Sequence, residues 1–320
     1  MTIAPEAVFI GGCPRSGTTL LASLLGGLPG CVVTPESQFK QRAVHTLQRH
    51  PGSKLRGAEL QRQLSRDLRF QAWRVPLHSD DLEVELGSEG LRHLLLKLAW
   101  RVGTTQGLPT ELTTWIDHTP QNIESGLALT KLFPRARLIH IVRDPRAVAA
   151  SLLPLDWGPQ SPAGVAELWR HRLAHGLALE SALPESIRRV HYEQLCREPD
   201  RILGELADWV GIPRPATPLK PVSGFLPRYT LHQHSLIGSR PLPDRIEAWR
   251  DKLAPWQQRQ IETLLGELMP LVGYQPDSQP MEPGERPLGP WRRWIMPAGR
   301  RVLGQIRHRR RKRLHRGRQK

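Results

Sequence analysis

The stretch "GGCPRSGTTLL", Gly11 to Leu21, permits few local structures. Val8, Phe9 and Ile10 are apolar and suited to a strand. Gly11 and Gly12 then break the run, and Thr19, Leu20, Leu21, Leu24 and Leu25 take up a helical period. The reading is strand, loop, helix. A glycine-rich loop can curl its backbone N–H groups around an anion, and the helix that follows adds its positive end and unpaired amides. The segment therefore predicts a site for phosphate or a group shaped like it.

The loop that binds nucleoside triphosphates reads G-x-x-x-x-G-K-[ST], with the lysine on the β and γ phosphates and the hydroxyl on magnesium. Gly12 and Gly17 keep that spacing, but Thr18 stands where the lysine belongs and Thr19 follows it. The cation is Arg15, inside the loop. A ligand with one 5′ phosphate-like group and no metal suits this arrangement better than a magnesium triphosphate. A nucleotide-dependent phosphotransferase is the rival enzyme.

Apolar runs and their punctuation outline the rest of the chain. "CVVTPESQF" holds a second short strand ending at Thr34 and Pro35. From about Ser37 to Thr105 the pattern is mostly helical, with Leu60, Leu64, Leu68 and Trp73 on one stripe and Leu91, Leu94, Leu95 and Leu98 on another. "TTWIDHTP" is a third strand, and Gln121 to Lys131 a helix closing at Phe133 and Pro134. "ARLIHIVRDP" is nearly continuous in apolar residues, as in a strand buried on both faces. Arg146 to Leu153 and Val165 to Leu183 read as helices, "SIRRVHYEQL" as a fifth strand, and Ile202 to Val210 and Pro255 to Leu268 as late helices. Strands alternating with helices predict an α/β fold: a P-loop-type parallel central sheet flanked by helices, with a helical insertion over about 38–113.

In open parallel sheets ligands bind beyond the carboxyl ends of the strands. Arg143 and, eight residues on, Ser151 follow the strongest strand; a guanidinium and a hydroxyl there suit a phosphate. "PRSGTTLL" resembles the 5′-phosphosulfate loop of sulfotransferases that use 3′-phosphoadenosine 5′-phosphosulfate (PAPS), and "VRDPRAVAAS" resembles their 3′-phosphate motif. "VHYEQL" is similar to a segment of the tyrosylprotein branch, related to bacterial sulfotransferases. The resemblance runs from Val8 to about Tyr274. It implies that Arg15, Ser16, Gly17, Thr18 and Thr19 hold the 5′ phosphosulfate, Arg143 and Ser151 the 3′ phosphate, and Tyr192 the nucleotide, without a metal. Ser235 and Arg240, in "HSLIGSRP", are carried over from a nucleotide-covering loop across a one-residue gap. Glu36, 21 residues after Arg15, is implied as the base that takes the acceptor's proton. By itself it also suits a helix-capping acid. His118, in "WIDHTP", stands where the family commonly has a lysine on the leaving oxygen. Either imidazolium supplies that charge or Arg15 carries most of it.

The chain of 320 residues and net charge +16 has the composition of a nucleic-acid binder until the charge is located. Of 46 basic residues, 14 lie in 286–320, which has no acid; the other 32 face all 30 acidic residues, a balance of +2. The expected organisation is a catalytic domain over 1–274, a Pro/Gly-rich linker over 275–290 and a basic tail over 291–320. That tail, with Trp291, Trp294 and Ile295, suits an anionic membrane surface or nucleic acid, or is simply solvated. Three cysteines, Cys13, Cys31 and Cys196, form no C-x-x-C pair. With a first strand at about Val8 there is no room for a secretory signal, and the expected home is the cytoplasm. His171 and His175 have metal-ligand spacing but no evident third ligand, so no metal site is expected. The resemblance implies an acceptor hydroxyl or amine, which a small metabolite, lipid, glycan or peptide tyrosine could each supply. Deleting residues 286–320 should leave turnover intact in an enzyme, measured on the purified truncation; loss of the activity with the tail would favour a tail-driven binder.

Overall fold

The computed structural model describes residues 6–50, 52–108, 113–214, 220–227, 237–239 and 241–280. Ser235, Arg240, the linker beyond residue 280 and the basic tail lie outside the described residues.

β1 (Ala7–Gly12) runs into the glycine loop and α1 (Thr18–Leu25), then β2 (Cys31–Val33) and α2 (Lys40–Arg49). The insertion follows: β3 (Leu55–Arg56), α3 (Gly57–Arg66), α4 (Leu68–Gln71), β4 (Glu85–Leu86) and α5 (Ser88–Thr105). β5 (Thr114–Asp117), α6 (Gly126–Leu132), β6 (Arg137–Val142), α7 (Pro145–Leu152) and α8 (Pro162–Ala182) come next. β7 (Ile187–His191), α9 (Tyr192–Arg197), α10 (Pro199–Val210) and α11 (Pro255–Leu265) complete the described elements. The central sheet has the order β2-β5-β1-β6-β7, and β2 with β5, β5 with β1 and β1 with β6 pair in parallel. The fold class expected from the alternating pattern is the one observed. Among the described residues no helix is long and apolar enough to cross a membrane.

The contacts divide the chain into two compact units. The first comprises residues 1–12, 17–141 and 175–242 and carries the sheet. Its strands are apolar on both faces, so two cores form. On one side Phe9 meets Trp115 and Phe133 edge to face at 5.5 and 5.3 Å, and Trp115 meets Trp73 at 6.0 Å. Trp73 in turn contacts Phe39 at 5.1 Å and Phe39 contacts Phe70, so an aromatic chain anchors the insertion on the sheet. On the other side α1 and α10 pack Leu21, Leu25, Leu203 and Leu206 against Val8, Ile10 and Ile141.

Several local expectations change. The Leu60 to Trp73 stripe is two helices, because Asp67 accepts from the amides of Arg69 (2.7 Å) and Phe70 (3.2 Å) and starts a new one. The insertion also contains an antiparallel pairing, Leu55 with Leu86 and Arg56 with Glu85. The helix expected over Gln121 to Lys131 is a 3-10 turn, Pro120–Ile123, followed by α6. Strand β7 stops at His191, and Tyr192 opens a helix.

Among the described residues the second unit comprises 13–16, 142–174 and 243–280. Arg146 organises it. Its guanidinium makes a fork with Asp144 (Nε to Oδ1 3.0 Å, Nη2 to Oδ2 2.7 Å), bonds Glu262 at 2.7 Å, lies 3.0 Å from Asp277 and stacks on Trp249 at 4.3 Å. Ser278 donates its amide to Glu262, which pins the first residues of the expected linker to α11. Lysine keeps the charge but not the planar fork. Arg146→Lys should therefore lower the unfolding free energy by about 2–3 kcal/mol in denaturant titration, and parent-like stability would refute this account.

Candidate functional site

Each strand of the central sheet delivers one of the expected residues just past its carboxyl end. β1 leads into Cys13 to Thr19, β2 to Glu36, β5 to His118, β6 to Arg143 and β7 to Tyr192. This is where a parallel sheet binds ligands.

In the first unit, Gly17 takes a φ of 99°, closed to ordinary side chains, and a Cβ there would lie 2.6 Å from the Tyr192 ring. Glycine is thus required twice, by backbone and by space, and the ring packs directly on the loop. At Gly12 a Cβ would meet the Ile141 carbonyl oxygen at 2.3 Å, because β6 runs alongside. Thr18 and Thr19 open α1, whose first backbone bond runs from the Leu21 amide to the Gly17 carbonyl at 2.9 Å. The amides ahead of Leu21 therefore face outward from the helix start, as an anion requires.

In the second unit, the Arg15 backbone is left-handed, φ 72°. Its Nε donates to Ser151 Oγ at 3.0 Å, and Arg143 Nη1 donates to the Arg15 carbonyl at 2.9 Å. Three expected ligand residues from three segments are thus held together. Trp169 Nε1 fixes the Arg143 carbonyl at 3.0 Å. Ser16 departs from expectation: its amide donates to the Cys13 carbonyl at 3.1 Å, closing a turn, so it is not a free cradle donor. Its hydroxyl is fully buried without a hydrogen-bond partner among the described residues. Burial pushes the Cys13 thiol up to about 12, with the Arg172 charge opposing, so this loop cysteine is no nucleophile.

Glu36 is half-buried, and its carboxylate accepts from Gln38 Nε2 at 2.8 Å and Arg69 Nη1 at 3.4 Å, while Trp73 Nε1 reaches its carbonyl at 3.5 Å. The insertion therefore grips the loop after β2. No helix-capping contact from the Glu36 side chain is present at α2, whose N-cap position is Phe39. His118 is buried, with Nδ1 3.5 Å from Thr19 Oγ1 and Nε2 lacking a hydrogen-bond partner among the described residues. It meets Phe225 edge to face at 5.2 Å. Burial lowers its affinity for a proton, against the opposing charges of Glu36 and Asp117.

Lys40, Arg69, Asp117 and Asn122 are the polar neighbours that the sequence did not single out. Lys40 carried a faint signal, a cation in the first turn of a helix where the dipole disfavours it. Of the other expected residues, Ser235 and Arg240 lie outside the described part. The histidine pair on α8 is less isolated than its spacing suggested: a Glu124 carboxylate oxygen lies within 4.8 Å of a His175 ring nitrogen.

A five-stranded parallel sheet flanked by helices, with a glycine loop after its central strand, defines the class as an α/β domain. Comparison narrows the class: residues 5–216 match the profile of the sulfotransferase family. The chain belongs to that family, and its reaction is sulfuryl transfer. Two solved structures share the fold. A sulfotransferase domain from the curacin biosynthetic pathway is 20% identical with a TM-score of 0.54, covering 86% of this chain and 99% of that one. A sulfotransferase domain from the Synechococcus PCC 7002 olefin synthase is 23% identical with a TM-score of 0.54, covering 79% and 90%. Comparison with curated proteins found no match.

An anionic ligand near His118 should restore its proton. Binding of 3′-phosphoadenosine 5′-phosphate (PAP) at pH 6.5 should therefore take up more protons in the parent than in His118→Asn, read from calorimetric heats in buffers of different ionisation enthalpy. Equal uptake in both proteins would remove His118 from the anion's surroundings.

Proposed function

We propose that the chain transfers a sulfuryl group from PAPS to an acceptor hydroxyl or amine by in-line displacement, without a metal. The observation that carries this reading is the loop after β1: a backbone only glycine adopts at position 17, a buried Ser16 hydroxyl lacking a partner, and Arg15 bonded to Ser151. The residues fit a phosphosulfate in number and kind of donor.

Thr18 and Thr19 amides, with the Ser16 hydroxyl, hold the 5′ end; Arg143 and Ser151 hold the 3′ phosphate; the Tyr192 ring holds the nucleotide against Gly17. When bound, PAPS supplies the sulfuryl group and departs as PAP. Arg15 is cationic at any working pH and is suited to the charge that grows on the leaving oxygen. His118, whose proton affinity burial lowers, can donate a hydrogen bond there from a ring N–H. Glu36 accepts the acceptor's proton, since a hydroxyl must lose it as it attacks sulfur.

Calorimetric titration with PAP, without magnesium, tests the reading. Micromolar binding should weaken about tenfold or more in Arg143→Ala, the loss of a charged phosphate contact, while Glu36→Gln should bind PAP normally and fail to turn over PAPS. Binding of ATP only, and only with magnesium, would return the loop to a phosphotransferase.

A further inference from the structure

Lys40 has no part in the scheme above, yet its side chain is completely buried. An ammonium has three protons, and this one has three acceptors: Asp117 Oδ2 at 2.9 Å, Ser37 Oγ at 2.7 Å and Asn122 Oδ1 at 2.7 Å. Asp117 also accepts the Ser37 hydroxyl, and its Oδ1 takes the Thr119 amide at 2.8 Å and Asn122 Nδ2 at 3.1 Å. The Ser37 amide donates to Thr119 Oγ1 at 2.7 Å. Phe9 offers its ring to the ammonium at 5.5 Å. The network is satisfied throughout and closed to water.

Such a pair is a poor device for stability, because desolvating both ions consumes most of what their attraction returns. Burial pulls the Lys40 proton affinity down, with Asp117 opposing; for Asp117 burial is the largest single effect and raises the carboxyl, but the Lys40 charge and the Ser37, Thr119 and Lys40 bonds together outweigh it and hold it low. What the network achieves is geometric. β2 and β5 are parallel neighbours, with Val33 opposite Ile116, so the loops leaving them run side by side. Ser37 directly follows Glu36, and Asp117 and Thr119 flank His118. One ammonium clamps both loops.

We propose that Lys40 is a positioning residue for sulfuryl transfer: its ammonium locks the Glu36–Ser37 loop to the Asp117–Thr119 loop and so holds the base and His118 at one separation. The inference rests on the reading of Glu36 as base. Rate is the quantity at stake, since a displacement of about 1 Å in a catalytic group costs on the order of a hundredfold.

The test is the double variant Lys40→Met/Asp117→Asn, which removes both charges and leaves neither ion orphaned. It should fold, with a melting temperature within about 5 °C of the parent, and bind PAP with about the same affinity. Release of PAP from PAPS, to water or to p-nitrophenol, should fall about 30-fold or more in kcat with little change in KM. Hydrogen exchange should quicken in the peptides holding Ser37 and Thr119 and nowhere else. Should the double variant not fold, Ser37→Ala, which removes one neutral partner of the ammonium, decides: kcat about fivefold to tenfold lower is expected. A folded variant with parent-like kcat, or unchanged exchange at the two loops, overturns the proposal. A parent that binds no PAP would instead overturn the sulfotransferase site, while the exchange measurement still judges the clamp.

Discussion

Parallel pairing points the carboxyl ends of neighbouring strands the same way, and the arrangement of this protein depends on it. β1 is flanked by β5 and β6, so the carboxyl ends of the three strands lie side by side. Backbone bonding in the ladder sets this before any side chain is chosen. The loop itself can enter α1 only through a left-handed residue at Gly17, and the Tyr192 ring occupies the space a side chain would need. One glycine thus joins strand direction, helix start and aromatic wall.

Around this frame the chain buries charge beside loops that must keep their place. In the first unit Lys40 and Asp117 sit under the ends of β2 and β5. In the second, Arg146 joins the start of α7 to α11 through Asp144 and Glu262. Both arrangements forgo apolar packing at the strand ends, where irregular backbone has polar groups to satisfy. The same desolvation that makes these pairs demanding lowers the proton affinity of His118. Burial therefore acts on structure and on chemistry through one term.

Much of the fold was legible because strand and helix signals are local. β6 announced itself by a continuous apolar run, and the glycine loop by its spacing. Misreadings occurred where one polar residue outweighed a longer pattern: Asp67 capped a new helix inside an unbroken apolar stripe. Tyr192 was expected at a strand end and instead starts a helix. Of the candidate site residues, Arg15 and Arg143 could be picked out because each follows a strand, whereas Glu36 and His118 were singled out by the family resemblance. Arg69 and Trp73, which hold Glu36, lie 33 and 37 residues from it and share no motif with it.

Short motifs carried the family resemblance, while the sequence by itself determined the strand, loop and helix at Gly11 to Leu21 and the order of the alternating elements. These follow from backbone sterics and side-chain period, which act within about ten residues. Tertiary structure decided that Ser16 spends its amide on a turn, that burial lowers the proton affinity of His118, and that Lys40 finds Asp117 across 77 positions of chain. Each depends on burial and on partners from distant segments, and neither exists until the sheet has brought those segments together.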